Sequence, residues 1–169
     1  MVAVVRRSIV SRNILAGMAA ATAVLVATAA WAGAGPPGHH HAMAAFGKPG
    51  DPKKPARTVE VVMQEGSGTM AFVPNRVEVK KGEQIRFKLR NDGALDHELV
   101  LGTLEMNLMH AEEMKKNPDM EHDDPNARRV APTKTSEILW RFDKAGTFDF
   151  SCLIPGHREA GMTGTVIVK

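Results

Sequence analysis

Gly146-Thr-Phe-Asp-Phe-Ser-Cys152-Leu-Ile-Pro-Gly-His157-Arg-Glu-Ala-Gly-Met162-Thr-Gly-Thr-Val decides the reading of this chain. Residues 147–152 alternate apolar with polar side chains, the period of a half-buried strand, and the β-branched run 163–168 reads as a second strand. The loop between them carries a thiol, an imidazole and a thioether, with four residues on each side of His157. Pro155 and Gly156 permit a sharp turn, and Gly161 permits close backbone approach beside Met162. Two strands thus hold one short donor-rich loop.

Working outward, the same period recurs at 58–63, 76–80 and 84–90, and 97–101 and 136–142 read as further strands. In 84–90 the side chains of Ile85, Phe87 and Leu89 share one face and charged residues the other. Gly66-Ser-Gly68, Pro74-Asn75, Lys81-Gly82 and Asp92-Gly93 punctuate the strands as turns. Residues 104–116 differ, being rich in Leu, Met, Glu and Lys with apolar residues at helical spacing, and Asn117-Pro118 ends that run. Seven or eight short strands and one inserted helix predict an all-β fold, a Greek-key β-sandwich spanning 58–169.

Ahead of it, residues 1–32 read as a signal peptide. Arg6, Arg7 and Arg12 precede an apolar run ending in the cleavable triplet Ala30-Trp31-Ala32. Export by the general secretory route to the periplasm is expected in preference to the twin-arginine route, leaving no stable membrane span after cleavage. Residues 33–57 are rich in Gly, Pro, Ala and Lys and read as a flexible arm containing His39, His40 and His41. Removing the signal takes three arginines from the 22 basic residues and none of the 19 acidic ones, so the remainder is neutral. Without surplus Lys and Arg to displace counterions from phosphate, nucleic-acid binding is not expected.

Cys152 is the single cysteine, so an intrachain disulfide is impossible, and in an oxidising compartment metal binding would protect its thiol. A second imidazole lies upstream in Asp96-His97-Glu98. His97, Cys152, His157 and Met162 together offer two nitrogens, a thiolate and a thioether, the set of a His2Cys site with a weak axial Met. Copper suits such a mixture, whereas thioether is a poor ligand for zinc. A binuclear copper centre would need a second cysteine. A cysteine protease would need a third group to orient His157. Four protein ligands leave no open position for a substrate, so no enzymatic activity is expected.

The quoted stretch closely resembles the cupredoxins, in particular the azurin-, auracyanin- and rusticyanin-like ones, across roughly residues 58–169. The resemblance implies a mononuclear type 1 copper, with His97, Cys152 and His157 as equatorial ligands and Met162 as the axial one. Met120-Glu-His-Asp-Asp-Pro-Asn-Ala and the His- and Met-bearing arm further resemble periplasmic cupredoxins of bacterial copper tolerance. Many cupredoxins carry asparagine after the first histidine, tying the two ligand segments together. This chain carries Glu98 there, which puts that tie in question.

Further donors lie outside that set. His39, His40, His41 and Met43 on the arm offer a second copper site, against the alternative of a solvated tail. Met106, Met109, His110, Met114, Met120 and His122 offer an auxiliary soft site on the helix and its loop, against ordinary core packing by methionine. Leu153, Ile154 and Pro155 surround His157 and are expected to form an apolar docking patch for a redox partner protein. The expected molecule is a monomer that binds copper and passes single electrons, in periplasmic copper tolerance. A dedicated carrier between respiratory or photosynthetic complexes, or a copper chaperone or store, are the competing expectations.

Overall fold

The computed structural model describes residues 45–117 and 124–169. The expected signal at 1–32, the arm residues His39, His40, His41 and Met43, and also Met120 and His122, lie outside the described residues. The strands are β1 Lys48–Pro49, β2 Arg57–Glu65, β3 Met70–Val73, β4 Arg76–Val79, β5 Gln84–Asn91, β6 His97–Gly102, β7 Ala127–Val130, β8 Thr135–Arg141, β9 Gly146–Ser151 and β10 Thr163–Val168. One helix, α1 Leu104–Lys116, follows β6. The strands make two five-stranded sheets, ordered β1-β8-β5-β2-β3 and β4-β10-β9-β6-β7. Both are mixed, because β2 runs parallel to β5 and β4 parallel to β10.

Alternation builds the core. Ile85, Phe87 and Leu89 of β5 point inward, while Arg86, Lys88 and Arg90 of that strand are partly or fully exposed on the opposite face. Ile138 and Trp140, Phe148 and Phe150, and Val166 and Val168 fill the same layer from β8, β9 and β10. Phe46 stacks on Trp140 with ring centroids 4.9 Å apart, and Phe72 tilts against Phe150 at 5.3 Å. Each such side chain removed from water contributes ~1.5–3 kcal/mol before entropy is counted.

β6 departs from alternation, since all six of its residues are buried. Leu99 and Leu101 face the main core, whereas Val100 faces a smaller cluster with Met114, Ala127 and Leu153. The helix roofs that second face. Thr103 caps it by accepting the Met106 N–H at 3.2 Å, Glu105 lies in its first turn and Lys115 and Lys116 in its last, each matching the helix dipole.

Residues 45–57 correct the expectation of a flexible arm extending to 57. Phe46 is fully buried, β1 pairs with β8, and the Asp51 N–H donates to Gln84 Oε1 at 2.7 Å. One aromatic residue in a Gly- and Pro-rich stretch suffices to fasten it to the sheet. β1, β3 and β7 were not expected as strands, being too short to show a period.

Arg57 ties the start of β2 to the β4–β5 turn. Its Nε donates to Glu83 Oε1 at 2.6 Å and its Nη2 to the Glu78 carbonyl at 2.7 Å, while the Lys80 N–H donates to Glu83 Oε2 at 2.8 Å. The hydrogen bond from Arg57 holds the Glu83 carboxyl below the usual carboxylate range. Its stabilisation is therefore complete above the unfolded value of about 4.3 and is lost as pH falls through the lower folded value. Glu83→Gln should lower unfolding free energy by about 0.5–1 kcal/mol at neutral pH. Urea titrations repeated at successively lower pH should show that gap closing.

Gly164 of β10 lies under the Phe150 ring, where an added Cβ would come within 2.1 Å of Cζ. Phe150 is fully buried and cannot swing away. Gly164→Ala should destabilise the domain by about 1–3 kcal/mol, and an unchanged denaturation midpoint would contradict this packing.

Candidate metal centre

The antiparallel pairing of β6 with β9 sets Val100 opposite Ser151, so the start of β6 runs beside the chain leaving β9. His97 opens β6 and Cys152 follows β9 directly. The loop from Cys152 to Met162 closes on itself, with the Cys152 N–H donating to the Met162 carbonyl at 3.1 Å. Within it, the His157 N–H donates to Ile154 and the Met162 N–H to His157, both at 3.0 Å. Gly156 and Gly161 adopt φ of 90° and 102°, a region that side chains disfavour. A Cβ on Gly161 would press on the Met70 carbonyl at 3.3 Å, and the Met70 N–H donates to Ala160 at 2.9 Å. β3 thus pins the far end of the loop.

This geometry brings three donor atoms together. His97 Nδ1 lies 3.2 Å from His157 Nδ1, and Cys152 Sγ lies 3.3 Å from His157 Nδ1. All three donors fall within 4.8 Å of one another on buried residues. Two imidazole nitrogens bonded in one plane at ~2.0 Å to a shared metal would stand about 3.5 Å apart. The residues therefore fit a small thiophilic ion, and a set with one sulfur and two nitrogens suits copper. Met162 is also fully buried, and its backbone bonds place it beside Cys152 and His157.

Burial pushes the Cys152 thiol up to about 12. The sulfur keeps its proton until a cation replaces it. Burial, and next the neighbouring His97, lowers His157, which keeps its ring neutral and its lone pair available.

Two carboxylates that sequence reasoning did not assign hold these ligands. Glu65 Oε1 lies 3.0 Å from His97 Nε2 and also accepts the Ala94 and Leu95 N–H groups at 3.0 and 2.9 Å. Nothing local in the sequence links Glu65 to His97. The link arises because β2 lies parallel to β5, with Met63 opposite Asn91. Glu98 Oε1 accepts the Leu153 N–H at 3.0 Å, and the Glu98 N–H points to Cys152 Sγ at 3.4 Å. The tie that the missing asparagine put in question is therefore made by a carboxylate. Burial raises Glu98 above the usual carboxylate range.

A third polar group braces the loop from the helix side. Asp149 accepts Asn107 Nδ2 at 2.7 Å, Ser151 Oγ at 2.6 Å and Arg158 Nη1 at 3.0 Å. Lys115 reaches Glu159 at 3.7 Å. The inserted helix is thus joined to both neighbours of the donor residues, Ser151 and Arg158.

The other candidates separate. Met114 is wholly buried, Met106 packs against the main core, and Met109 is 64% exposed. His110 is partly buried on the same helix. Met106, His110 and Met114, at successive four-residue steps, thus share the inward side of the helix, and Met109 lies off it. Leu153 corrects the expected docking patch, being only 1% exposed beneath α1 with Met114 and Ala127. The helix that sequence reasoning set apart from the loop is what covers it. Ile154 is half-buried against the main core, and Pro155 is exposed.

Residues 59–169 match the model of copper binding proteins of the plastocyanin/azurin family. The chain belongs to that family. This cupredoxin is 52% identical over 130 residues to the copper-resistant cuproprotein CopI of Rubrivivax gelatinosus, covering 77% of each chain. It is 37% identical over 154 residues to the copper-resistant cuproprotein CopI of Pseudomonas aeruginosa, covering 74% of this chain and 83% of that one. Among solved structures, auracyanin B superposes with a TM-score of 0.59 at 25% identity, covering 73% of this chain and 96% of that one. Copper is accordingly the metal of the cupredoxin, and the buried group of His97, Cys152 and His157 suits it.

Leu153→Ala separates core from docking roles. As a core residue it should lose about 2–5 kcal/mol in denaturation of the metal-free cupredoxin. A surface docking residue would shift stability by less than about 0.5 kcal/mol.

Proposed function

We propose that this chain is an exported, non-enzymatic type 1 copper protein that binds one copper and passes single electrons in periplasmic copper tolerance. His97, Cys152 and His157, with Met162, would hold the copper. The observation that carries the reading is the convergence of two Nδ1 atoms and one sulfur, all on buried residues, within 4.8 Å. Its relatives from Rubrivivax gelatinosus and Pseudomonas aeruginosa bear the name copper-resistant cuproprotein, which supports the cellular role. Among the described residues no helix is long and apolar enough to cross a membrane.

Bound there, copper supplies one-electron redox chemistry. The chain supplies the rest. Cys152 gives up its proton on loading, so binding weakens as pH falls. Glu65, Glu98 and the loop hydrogen bonds fix the donors, which would limit their rearrangement when copper changes oxidation state. His97 is fully buried while His157 keeps 8% of its surface exposed, so His157 would offer the route for electrons between bound copper and a partner. Ile154 and Pro155, beside it, are the remaining apolar contacts for a redox partner.

Purified protein loaded with Cu(II) should show an intense thiolate-to-copper band in the visible spectrum, and Cys152→Ser should abolish it. A second copper per chain, lost on replacing His39, His40 and His41, would assign that ion to the arm. Deleting the gene should raise copper sensitivity. Slowed respiration with unchanged copper sensitivity would favour the dedicated electron carrier instead.

A further inference from the structure

We propose that Glu65 is a positioning residue for the metal centre, whose carboxylate fixes the His97 ring and whose charge biases bound copper toward its oxidised state. The proposal rests on His97 being a ligand. One oxygen of Glu65 gathers three donors: His97 Nε2 at 3.0 Å, the Ala94 N–H at 3.0 Å and the Leu95 N–H at 2.9 Å. The last two belong to the turn that feeds β6, so the same atom positions the ring and the backbone leading to it. To donate to a carboxylate, Nε2 must carry the ring proton. Nδ1 is then bare, and it is Nδ1 that faces His157 Nδ1 at 3.2 Å.

The fold makes room for this contact at a specific place. A Cβ on Gly93 would lie 2.3 Å from Glu65 Oε1 and 3.1 Å from His97 Nε2. Any side chain at 93 would push the carboxylate from the ring. Gly93 is held in turn by its own N–H donating to Asn91 Oδ1 at 2.9 Å, and Asn91 Nδ2 holds the Leu95 carbonyl at 2.8 Å. The parallel register continues past Met63 and Asn91, where the Asp92 N–H donates to the Met63 carbonyl at 2.9 Å. That carries Glu65 alongside the turn. The arrangement is one-sided, because the hydrogen-bonding contacts of the His157 ring among the described residues are to His97 and Cys152.

A carboxylate on the outer nitrogen of a ligand histidine raises the basicity of the inner one. A negative charge at that distance also stabilises the more positive ion more strongly. Both effects favour Cu(II) over Cu(I), and so lower the potential of the couple.

Glu65→Gln keeps an oxygen for the three donors and removes the charge, while Glu65→Ala removes both. In the metal-free protein, nitrogen–proton correlation NMR should show His97 protonated on Nε2 in the wild type and in Glu65→Gln, and mixed tautomers in Glu65→Ala. In the copper-loaded protein, redox titration of the visible band should show Glu65→Gln raised by about 59 mV, a tenfold change in preference for Cu(II), and Glu65→Ala raised at least as far. A wild-type His97 protonated on Nδ1, or potentials unchanged in both variants, would overturn the proposal. A wild type lacking the visible band would instead remove the type 1 assignment, and the metal-free tautomer would still decide whether Glu65 holds His97.

Discussion

The antiparallel pairing of β6 with β9 is the constraint from which the site follows. Cys152 and His97 are far apart in sequence, and the bond pattern that puts Val100 opposite Ser151 makes them neighbours. Everything else refines that meeting. The loop returns from Cys152 through His157 to Met162 and closes with a single backbone bond between its ends. Glu98 stitches β6 to the loop from within, and Asp149 on β9 joins the loop to the helix through Arg158 and Asn107. Burial raises the Cys152 thiol and lowers His157, so the sulfur waits for a cation while that ring stays neutral.

Much of this was legible in the sequence. The strands expected at 84–90, 147–152 and 163–168 appear as β5, β9 and β10 within a residue of the expected bounds, and the helix spans 104–116 as its spacing implied. Short-range pattern suffices where one face of a strand is wet and the other dry. The donor loop was legible for a different reason: sulfur and imidazole ligands at even spacing on one loop are chemically uncommon, and the loop's geometry is largely local.

What stayed hidden was non-local. Glu65 reaches His97 only through the register of a parallel pair, which no spacing encodes. Leu153 looked like a surface residue of an exposed loop, and only the packing of α1 against β6 shows it to be core. Phe46 sits in a stretch whose composition signals flexibility, yet one stack on Trp140 recruits that stretch to the sheet. In each case composition described the neighbourhood correctly, and tertiary contact decided the individual residue.

Complete burial of β6 also governs how freely this domain can change. The outer face of β5 and β2 carries Arg86, Arg90 and Glu60, side chains that water accommodates in many combinations. β6 has no such face. A slip of one residue would exchange Val100 with Leu99 or Leu101 between two differently shaped cores and turn His97 away from Cys152. Substitution is therefore easier on strands with a wet face, β4 of the same sheet included, while the strand that opens with His97 is held by shape from both sides.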